Sequence, residues 1–270
     1  MKISVLGPKG TFTDLAAQLY IKNQEHVIIY QKSINDTFMG MSDADLGIVP
    51  LENTLEGFIQ PTLDGLLHHS FFIIDEIYLP VSFDLIGNVD SRFEIKKIYT
   101  QFATKNQCTK ILSSFNDQDI VLTESNSTSF NLILKNIPGE AAIVPSHLVE
   151  DSHRFLIRNV TDSMHNYTRF AVISKTKHIM NHDYQKVSLV VIPTQDRPGL
   201  LYDILGIFKS YEINLSSIVS RPEKTVMGKY VFFIDLETNH GFMPKIEEAL
   251  SYLHVHFNIK VLGIYPNRQK

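Results

Sequence analysis

The chain has 270 residues, 44% of them hydrophobic and 20% charged, a composition typical of a globular protein with one or two domains. Its 25 basic and 29 acidic residues give a net charge of −4, which provides no general attraction to nucleic acid or anionic membranes. The single cysteine, Cys108, excludes an internal disulfide and a cysteine-rich metal site. No apolar run reaches the ~20 residues of a membrane span. We therefore expect a cytoplasmic protein without nucleic-acid or membrane partners.

Strand and helix patterns alternate along the first 176 residues. An apolar run, a glycine-containing turn and a helical pattern begin the chain, as in α/β folds. This alternation predicts a mainly parallel sheet with helices on both faces. The predicted strands are residues 3–6, 27–30, 46–49, 71–74, 78–86, 95–100, 121–124, 141–144 and 168–174, and the predicted helices are residues 13–20, 33–41, 62–69, 106–113 and 127–135.

The length of this region predicts two α/β lobes rather than one. Residues 1–75 would form the first lobe and the middle segment the second, and the strand that begins at Thr168 would return to the first. Such crossings leave a cleft between the lobes, where small ligands usually bind. Residues 177–185 are polar without apolar periodicity, and we interpret them as a linker.

Residues 186–270 follow the order βαββαβ, with strands predicted at 187–192, 215–220, 229–236 and 259–264 and helices at 198–211 and 244–257. Pro198 suits the first turn of a helix, because its missing N–H costs nothing there. A small module of this kind indicates an enzyme whose output is monitored by ligand binding.

Two polar segments of the first lobe fall where α/β proteins bind ligands. Gly10 and Thr11 lie between the first strand and its helix, where backbone N–H groups attract anions, although an ordinary glycine turn explains them as well. Asn53 and Thr54 follow the end of an apolar strand, the usual position of α/β ligand sites, with a plain polar loop as the alternative.

Two further segments carry hydroxyl groups. Ser125 and Ser127 enter a helix and either cap it or hold a carboxylate. Thr168, Arg169 and Phe170 begin a strand, so Thr168 and Phe170 share a face that Arg169 does not. The histidine spacing gives no metal signal, and no serine-hydrolase or metalloprotease motif occurs. We therefore expect no metal site.

Taken together, these segments resemble the prephenate dehydratase family over nearly the whole chain. The resemblance rests on Gly-Pro-Lys-Gly-Thr-Phe at 7–12, Pro-Leu-Glu-Asn-Thr at 50–54, Thr-Glu-Ser at 123–125 and Asn-x-Thr-Arg-Phe at 166–170. Residues 186–270 resemble an ACT domain of the phenylalanine-binding kind. The resemblance implies a two-lobed, type 2 periplasmic-binding-protein-like α/β catalytic domain plus an α+β ferredoxin-like ACT domain. It implies domain bounds of 1–176 and 186–270.

The activity implied by the resemblance is that of a carbon–oxygen lyase that needs neither a metal nor a cofactor. Prephenate would lose water and carbon dioxide to give phenylpyruvate on the way to L-phenylalanine, with Thr168 donating or relaying the proton. Phe170 would shape the ring pocket, and Arg169, on the opposite face, ranks lower as a ligand than its charge suggests. The residues that would hold the two carboxylates are Gly10, Thr11, Asn53, Thr54, Ser125 and Ser127.

The resemblance further implies feedback control by L-phenylalanine bound between two copies of the ACT domain, and hence a homodimer or homotetramer. The residues implied in effector binding are Asp196, Pro198, Gly199, Leu200, Leu201, Asn214, Leu215, Ser220 and Arg221.

The chain departs from the family pattern at residues 100–103, which read Thr-Gln-Phe-Ala instead of Ser-His-Pro-Gln, and at Val219, which replaces a glutamate. No mutase segment precedes residue 1, so we expect a monofunctional enzyme. Two alternatives stay open: an arogenate dehydratase, and a non-enzymatic acid-binding protein with an amino-acid sensor.

Overall fold

Three β-sheets organise the protein in a computed structural model that describes residues 1–22, 25–115, 118–177, 184–195, 197–223 and 229–268. The strands are β1 (Lys2–Leu6), β2 (Val27–Gln31), β3 (Leu46–Asn53), β4 (Gly57–Phe58), β5 (Phe72–Pro80), β6 (Phe83–Gly87), β7 (Lys97–Gln101), β8 (Asp119–Thr123), β9 (Glu140–Pro145), β10 (Phe155–Ile157), β11 (Tyr167–Ser174), β12 (Tyr184–Ile192), β13 (Leu215–Pro222), β14 (Tyr230–Asn239) and β15 (Asn258–Pro266). The helices are α1 (Phe12–Tyr20), α2 (Ile34–Met39), α3 (Gln60–His68), α4 (Phe102–Gln107), α5 (Thr109–Leu112), α6 (Asn126–Ile133), α7 (Leu200–Ser210) and α8 (Met243–His256).

The first lobe is built on the sheet β2-β1-β3-β11-β5, with β4 paired to β3. Its strands β1, β2 and β3 are parallel, whereas β11 runs antiparallel to both β3 and β5. The predicted return of the chain to the first lobe is therefore confirmed. Helix α1 buries Ala16 and Ala17 against one face of this sheet, where Phe170 also lies.

The second lobe is built on the sheet β10-β6-β9-β7-β8 with α4, α5 and α6 around it. The prediction of one strand at residues 78–86 is wrong, because the chain leaves the first sheet after Pro80 and enters the second at Phe83. Proline lacks the N–H that a continuing ladder needs. The next residue, Val81, instead donates its N–H to the carbonyl of Asn166 at 2.8 Å, where the chain returns from the second lobe.

The ACT-like region forms an antiparallel sheet, β13-β14-β12-β15, with α7 and α8 packed on one face. Alternate residues of β12 face the helices, and the others, including Lys186, Ser188 and Val190, face the first lobe. Strand β12 begins at Tyr184, inside the segment predicted as a linker, whereas residues 178–183 lie outside the described part of the chain.

The second face of the ACT sheet and the first lobe share one apolar core. Val190, Phe233 and Leu262 of the ACT sheet belong to the same buried cluster as Leu66 and Ile73 of the first lobe. The approach is closest at Gly263, where an added Cβ would lie 2.0 Å from the carbonyl oxygen of Ile73. Among the described helices, none is both long and apolar enough to cross a membrane.

Candidate active site

Thr168 and Asn53 face each other on the paired strands β11 and β3. The Asn53 Nδ2 group donates to Thr168 Oγ1 at 3.0 Å and to Asn166 Oδ1 at 2.9 Å. The Asn53 Oδ1 atom accepts from the N–H groups of Leu55 and Glu56 at 2.9 and 3.2 Å. The Asn53 amide is thus fully used. Thr168 Oγ1 is held as an acceptor, and its own proton meets no acceptor among the described residues.

The loop after β3 is joined tightly to the start of β11. Thr54 Oγ1 donates to the Tyr167 carbonyl at 2.9 Å and accepts from the Tyr167 N–H at 2.8 Å, while the Thr54 N–H donates to the same carbonyl at 2.9 Å. The Thr54 hydroxyl therefore fixes the backbone one residue before Thr168.

A glutamine that the sequence analysis missed extends this network into the second lobe. Gln107, on α4, accepts from Asn166 Nδ2 at 2.8 Å and donates to Glu56 Oε1 at 2.7 Å. The side-chain amides of Gln107 and Asn166 thus link the two lobes and end at Asn53. A glutamine in a short polar helix carries no sequence signal for this role. Its neighbour Cys108 is fully buried, and burial raises the thiol pKa to about 12.

The lobes also meet at the loop between β1 and α1. Ser127 Oγ donates to the carbonyl of Lys9 at 3.1 Å, and a ring nitrogen of His147 lies 3.1 Å from the carbonyl oxygen of Gly10. Gly10 has a φ of +87°, and an added Cβ would lie 3.3 Å from Leu148. Glycine therefore allows both this turn and the close contact between the lobes. Desolvation at this contact lowers the pKa of His147 below its ordinary value, although the residue keeps an exposed side.

Thr11 and Ser125 both act as N-caps of helices. Thr11 caps α1 by accepting from the Asp14 N–H at 3.3 Å, and the Gly10 N–H donates to Asp14 Oδ2 at 2.8 Å. Ser125 caps α6 by accepting from the Thr128 N–H at 3.0 Å. These groups shape the walls of the site through the helix ends that they stabilise.

Two helix N-termini come together on the wall of the second lobe. Thr104 Oγ1, in the first turn of α4, donates to Asn126 Oδ1, in the first turn of α6, at 2.7 Å. The backbone N–H groups of Asn126 and Ser127 have no acceptor within the described ranges. Because the N-terminus of a helix carries partial positive charge, this wall suits a carboxylate.

The side chains of the two residues after Thr168 are both buried, in different surroundings. Phe170 is 1% exposed and packs in the core with Ile3 and Val5. Arg169, 4% exposed, extends from the other face of β11 toward the ACT sheet and contacts Glu76. The structure therefore does not bring the Arg169 and Phe170 side chains together with the hydroxyl of Thr168.

The predicted effector residues divide into three groups. Leu200 and Ser220 line one cavity of about 150 Å³, together with Pro193, Lys229, Tyr230 and Phe232. Gly199, with a φ of +80°, is the N-cap of α7. Four further residues near this helix end and the start of β13 are exposed or half-buried: Pro198, Leu201, Asn214 and Leu215. Arg221 instead extends to the first lobe, where it donates to Asp64 Oδ1 at 2.6 Å. Asp196 lies outside the described residues.

Two α/β lobes joined by paired crossings, with an ACT-type sheet docked on one lobe, define a protein of the two-lobed binding-protein fold with an added ACT-type domain. The prephenate dehydratase family model matches residues 3–178, and the ACT domain model matches residues 189–251. The chain belongs to the prephenate dehydratase family.

The relatives agree in sequence and fold. The prephenate dehydratase of Methanocaldococcus jannaschii is 32% identical over 96% of this chain and 96% of its own length. The crystal structure of the Staphylococcus aureus prephenate dehydratase superposes with a TM-score of 0.83 at 30% identity, covering 98% of this chain and all of that one (100%). The Arthrobacter aurescens prephenate dehydratase in complex with L-Phe gives 0.89 at 28% identity, covering 100% and 91%. The predicted fold class is confirmed.

Proposed function

We propose that the protein converts prephenate to phenylpyruvate, with Thr168 as the catalytic residue. The observation that carries this proposal is the orientation of the Thr168 hydroxyl, which accepts from Asn53 and leaves its proton without an acceptor in the described chain. A hydroxyl held in this way donates to an oxygen that develops negative charge. The departing oxygen of prephenate is such an atom.

The reaction needs one proton and no electron acceptor. The ring C–O bond breaks with its electron pair, the oxygen takes a proton and leaves as water, and the electron pair of the C–carboxylate bond enters the ring as carbon dioxide departs. Aromatisation drives the reaction. Because a threonine hydroxyl is a weak acid, Thr168 stabilises the departing oxygen by a hydrogen bond and relays a proton that solvent supplies.

The substrate is a dianion, and we propose that neutral donors hold its carboxylates. The free backbone N–H groups of Asn126 and Ser127 at the start of α6 would bind one carboxylate, and the free N–H groups at the N-terminal end of α1, next to Gly10 and Thr11, would bind the other. Asn53, Thr54 and Ser125 support these groups through the hydrogen bonds described above. Phe170 supports α1 from the core. Arg169 extends from the opposite face of β11, so its predicted role as a ligand stays a prediction.

We also propose that L-phenylalanine regulates the enzyme at the ACT domain, between two copies of the chain. The cavity beside Leu200 and Ser220 has room for part of one amino acid, and the Arthrobacter relative was crystallised with L-Phe. Strand β13 is an edge of its sheet and exposes Ile218, so a second copy could extend the sheet into a dimer or a tetramer of two dimers. The domain bounds 1–176, 177–185 and 186–270 and the cytoplasmic location stay predictions.

A substrate comparison tests the activity. Purified protein is incubated with prephenate and, separately, with arogenate, and phenylpyruvate and phenylalanine are quantified. We expect faster turnover of prephenate. Faster turnover of arogenate would make the protein an arogenate dehydratase, and saturable binding without product would make it a binding protein. L-Phenylalanine should raise the melting temperature and lower turnover, whereas a flat titration of both would refute the regulatory proposal.

A further inference from the structure

We infer that Asp235 and Tyr265, which belong to the ACT sheet, are positioning residues for Thr168 and act through Arg169. This inference rests on the proposed catalytic function of Thr168. It adds that the ACT sheet helps to fix the position of Thr168 even when no effector is bound.

Arg169 is the covalent neighbour of Thr168 in β11, and the two side chains leave the strand on opposite faces. Arg169 pairs with Glu52 on β3, as Thr168 pairs with Asn53, and the register between β11 and β3 shifts directly after Arg169. The backbone at this irregular point is therefore fixed by what the Arg169 side chain binds.

Three acceptors on three strands hold the Arg169 guanidinium. Its Nε donates to Glu76 Oε2 on β5 at 2.8 Å, Nη1 to Asp235 Oδ2 on β14 at 2.7 Å, and Nη2 to Tyr265 Oη on β15 at 2.7 Å. A guanidinium is planar and rigid, so three acceptors in these directions define both its position and its plane. Two of the three belong to the ACT sheet.

Arg169 also reaches the other half of the catalytic pair. Its Nη1 lies 3.5 Å from Glu52 Oε2, and Glu52 directly precedes Asn53, the donor to Thr168. The guanidinium thus holds β11 and also lies beside β3, at the position where Thr168 and Asn53 meet. If the contact between Asp235 and Arg169 is weakened, the Arg169 guanidinium can move toward Glu52. Such a movement would shift Thr168 relative to Asn53.

The surroundings leave Arg169 few alternatives. Lys186, a second buried cation, donates to Tyr78 Oη at 2.8 Å and lies 3.3 Å from Glu76 Oε2, so Glu76 is shared between two cations. Asp235, in contrast, contacts Arg169 at 2.7 Å and does not contact Lys186. It is therefore the nearest carboxylate that Arg169 does not share with Lys186. Ser188 completes the cluster by hydrogen bonds to Asp235 and Tyr265. Burying such charges seldom adds stability over apolar packing, but it does fix relative orientation.

The first test is Asp235→Asn in the full chain, which keeps the shape and removes the charge. We expect kcat for prephenate to fall at least about tenfold, since small misplacements of catalytic groups cost up to about a hundredfold. KM should stay within about twofold, because the proposed carboxylate-binding groups on α1 and α6 lie elsewhere. The milder Tyr265→Phe variant, which removes one acceptor and keeps the ring, should lose about threefold in kcat with unchanged near-UV circular dichroism.

Lys260→Met is the matched control. Lys260 is another ACT residue that contacts the first lobe, where it donates to carbonyl oxygens at the end of α3, including Leu66 at 2.7 Å, without touching β11. We expect a lower melting temperature and a kcat within about twofold of the wild type.

Three results would overturn the inference: wild-type kcat in folded Asp235→Asn and Tyr265→Phe, a rise in KM in place of the kcat loss, or an equal kcat loss in Lys260→Met. The wild type is assayed in parallel. If it is active, any of these results rejects the positioning role and leaves the proposed function intact. A wild type that makes no phenylpyruvate overturns the proposed function itself.

Discussion

Replacing Thr168 by valine separates the chemistry at this position from its structural role. Valine has the shape of threonine and suits a strand, so the change removes the hydroxyl and little else. Asn53 Nδ2 loses one acceptor but keeps Asn166 Oδ1 at 2.9 Å, so the cost should be about 0.5–1.5 kcal/mol of unfolding free energy. A positioned proton donor contributes about 10²–10⁴-fold to the rate. We therefore expect kcat to fall about a hundredfold while the protein stays folded.

The assay follows phenylpyruvate formation from prephenate at saturating substrate, with urea unfolding of each variant in parallel. Thr168→Ser is the control, because it restores the hydroxyl and should recover most of the lost rate. A Thr168→Val enzyme with wild-type kcat would refute the catalytic assignment. A Thr168→Ser enzyme as slow as Thr168→Val would mean that the methyl group or the fit of the side chain matters, and that the hydroxyl proton does not.

Three further predictions concern the contacts between lobes and domains. Gln107→Glu should lower kcat/KM at least about tenfold, because it replaces the donor to Glu56 by a second carboxylate 2.7 Å away; wild-type kinetics in this variant would exclude a role for the lobe contact. Gly263→Ala should lower the melting temperature, because its Cβ would meet the Ile73 carbonyl and force the ACT sheet off the first lobe; an unchanged melting temperature would contradict the docking described here. Desolvation at the lobe contact lowers the pKa of the partly exposed His147, so as the pH falls below 6.5 the unfolded chain takes up a proton more readily than the folded protein and stability decreases. Urea midpoints at pH 7.5 and 5.5 should therefore differ slightly less in His147→Asn than in the wild type, and an equal difference would refute this.

Much of the fold was predictable because strand and helix patterns are local. Alternating apolar runs marked nearly every strand of the two lobes, and the βαββαβ order marked the ACT sheet. The error at residues 78–86 has a tertiary cause: both halves are apolar and extended, and only the packing of two lobes decides that Pro80 ends one strand and Phe83 begins another. The three-residue strand β10 was missed because it is too short to show a period.

The candidate site was predictable to the extent that its residues lie in recognisable segments. Thr168 and Asn53 were selected by motif, and the structure places them in direct contact. The partners of Arg169 could not be predicted, since Asp235 and Tyr265 are 66 and 96 residues away in the sequence and belong to another sheet. Strand alternation did indicate that Arg169 would face away from Thr168. It did not indicate what Arg169 would face.

The geometry of a strand explains how one segment serves both the cleft and the ACT domain. On a helix, the side chains of neighbouring residues diverge by only about 100°, whereas on a strand they project to opposite faces. The side chains of residues 168 and 169 of β11 therefore contact Asn53 and the ACT sheet, respectively, with a single peptide bond between them. Strand β11 lies between β3 and β5, and seven of its eight residues are buried, so neither its edges nor its faces reach solvent along most of its length. A shift of the ACT sheet against the first lobe must then either break the Arg169 contacts or move the backbone that holds Thr168. An ACT domain docked on this strand can therefore affect the proposed catalytic hydroxyl through one pair of neighbouring residues, without a longer chain of contacts.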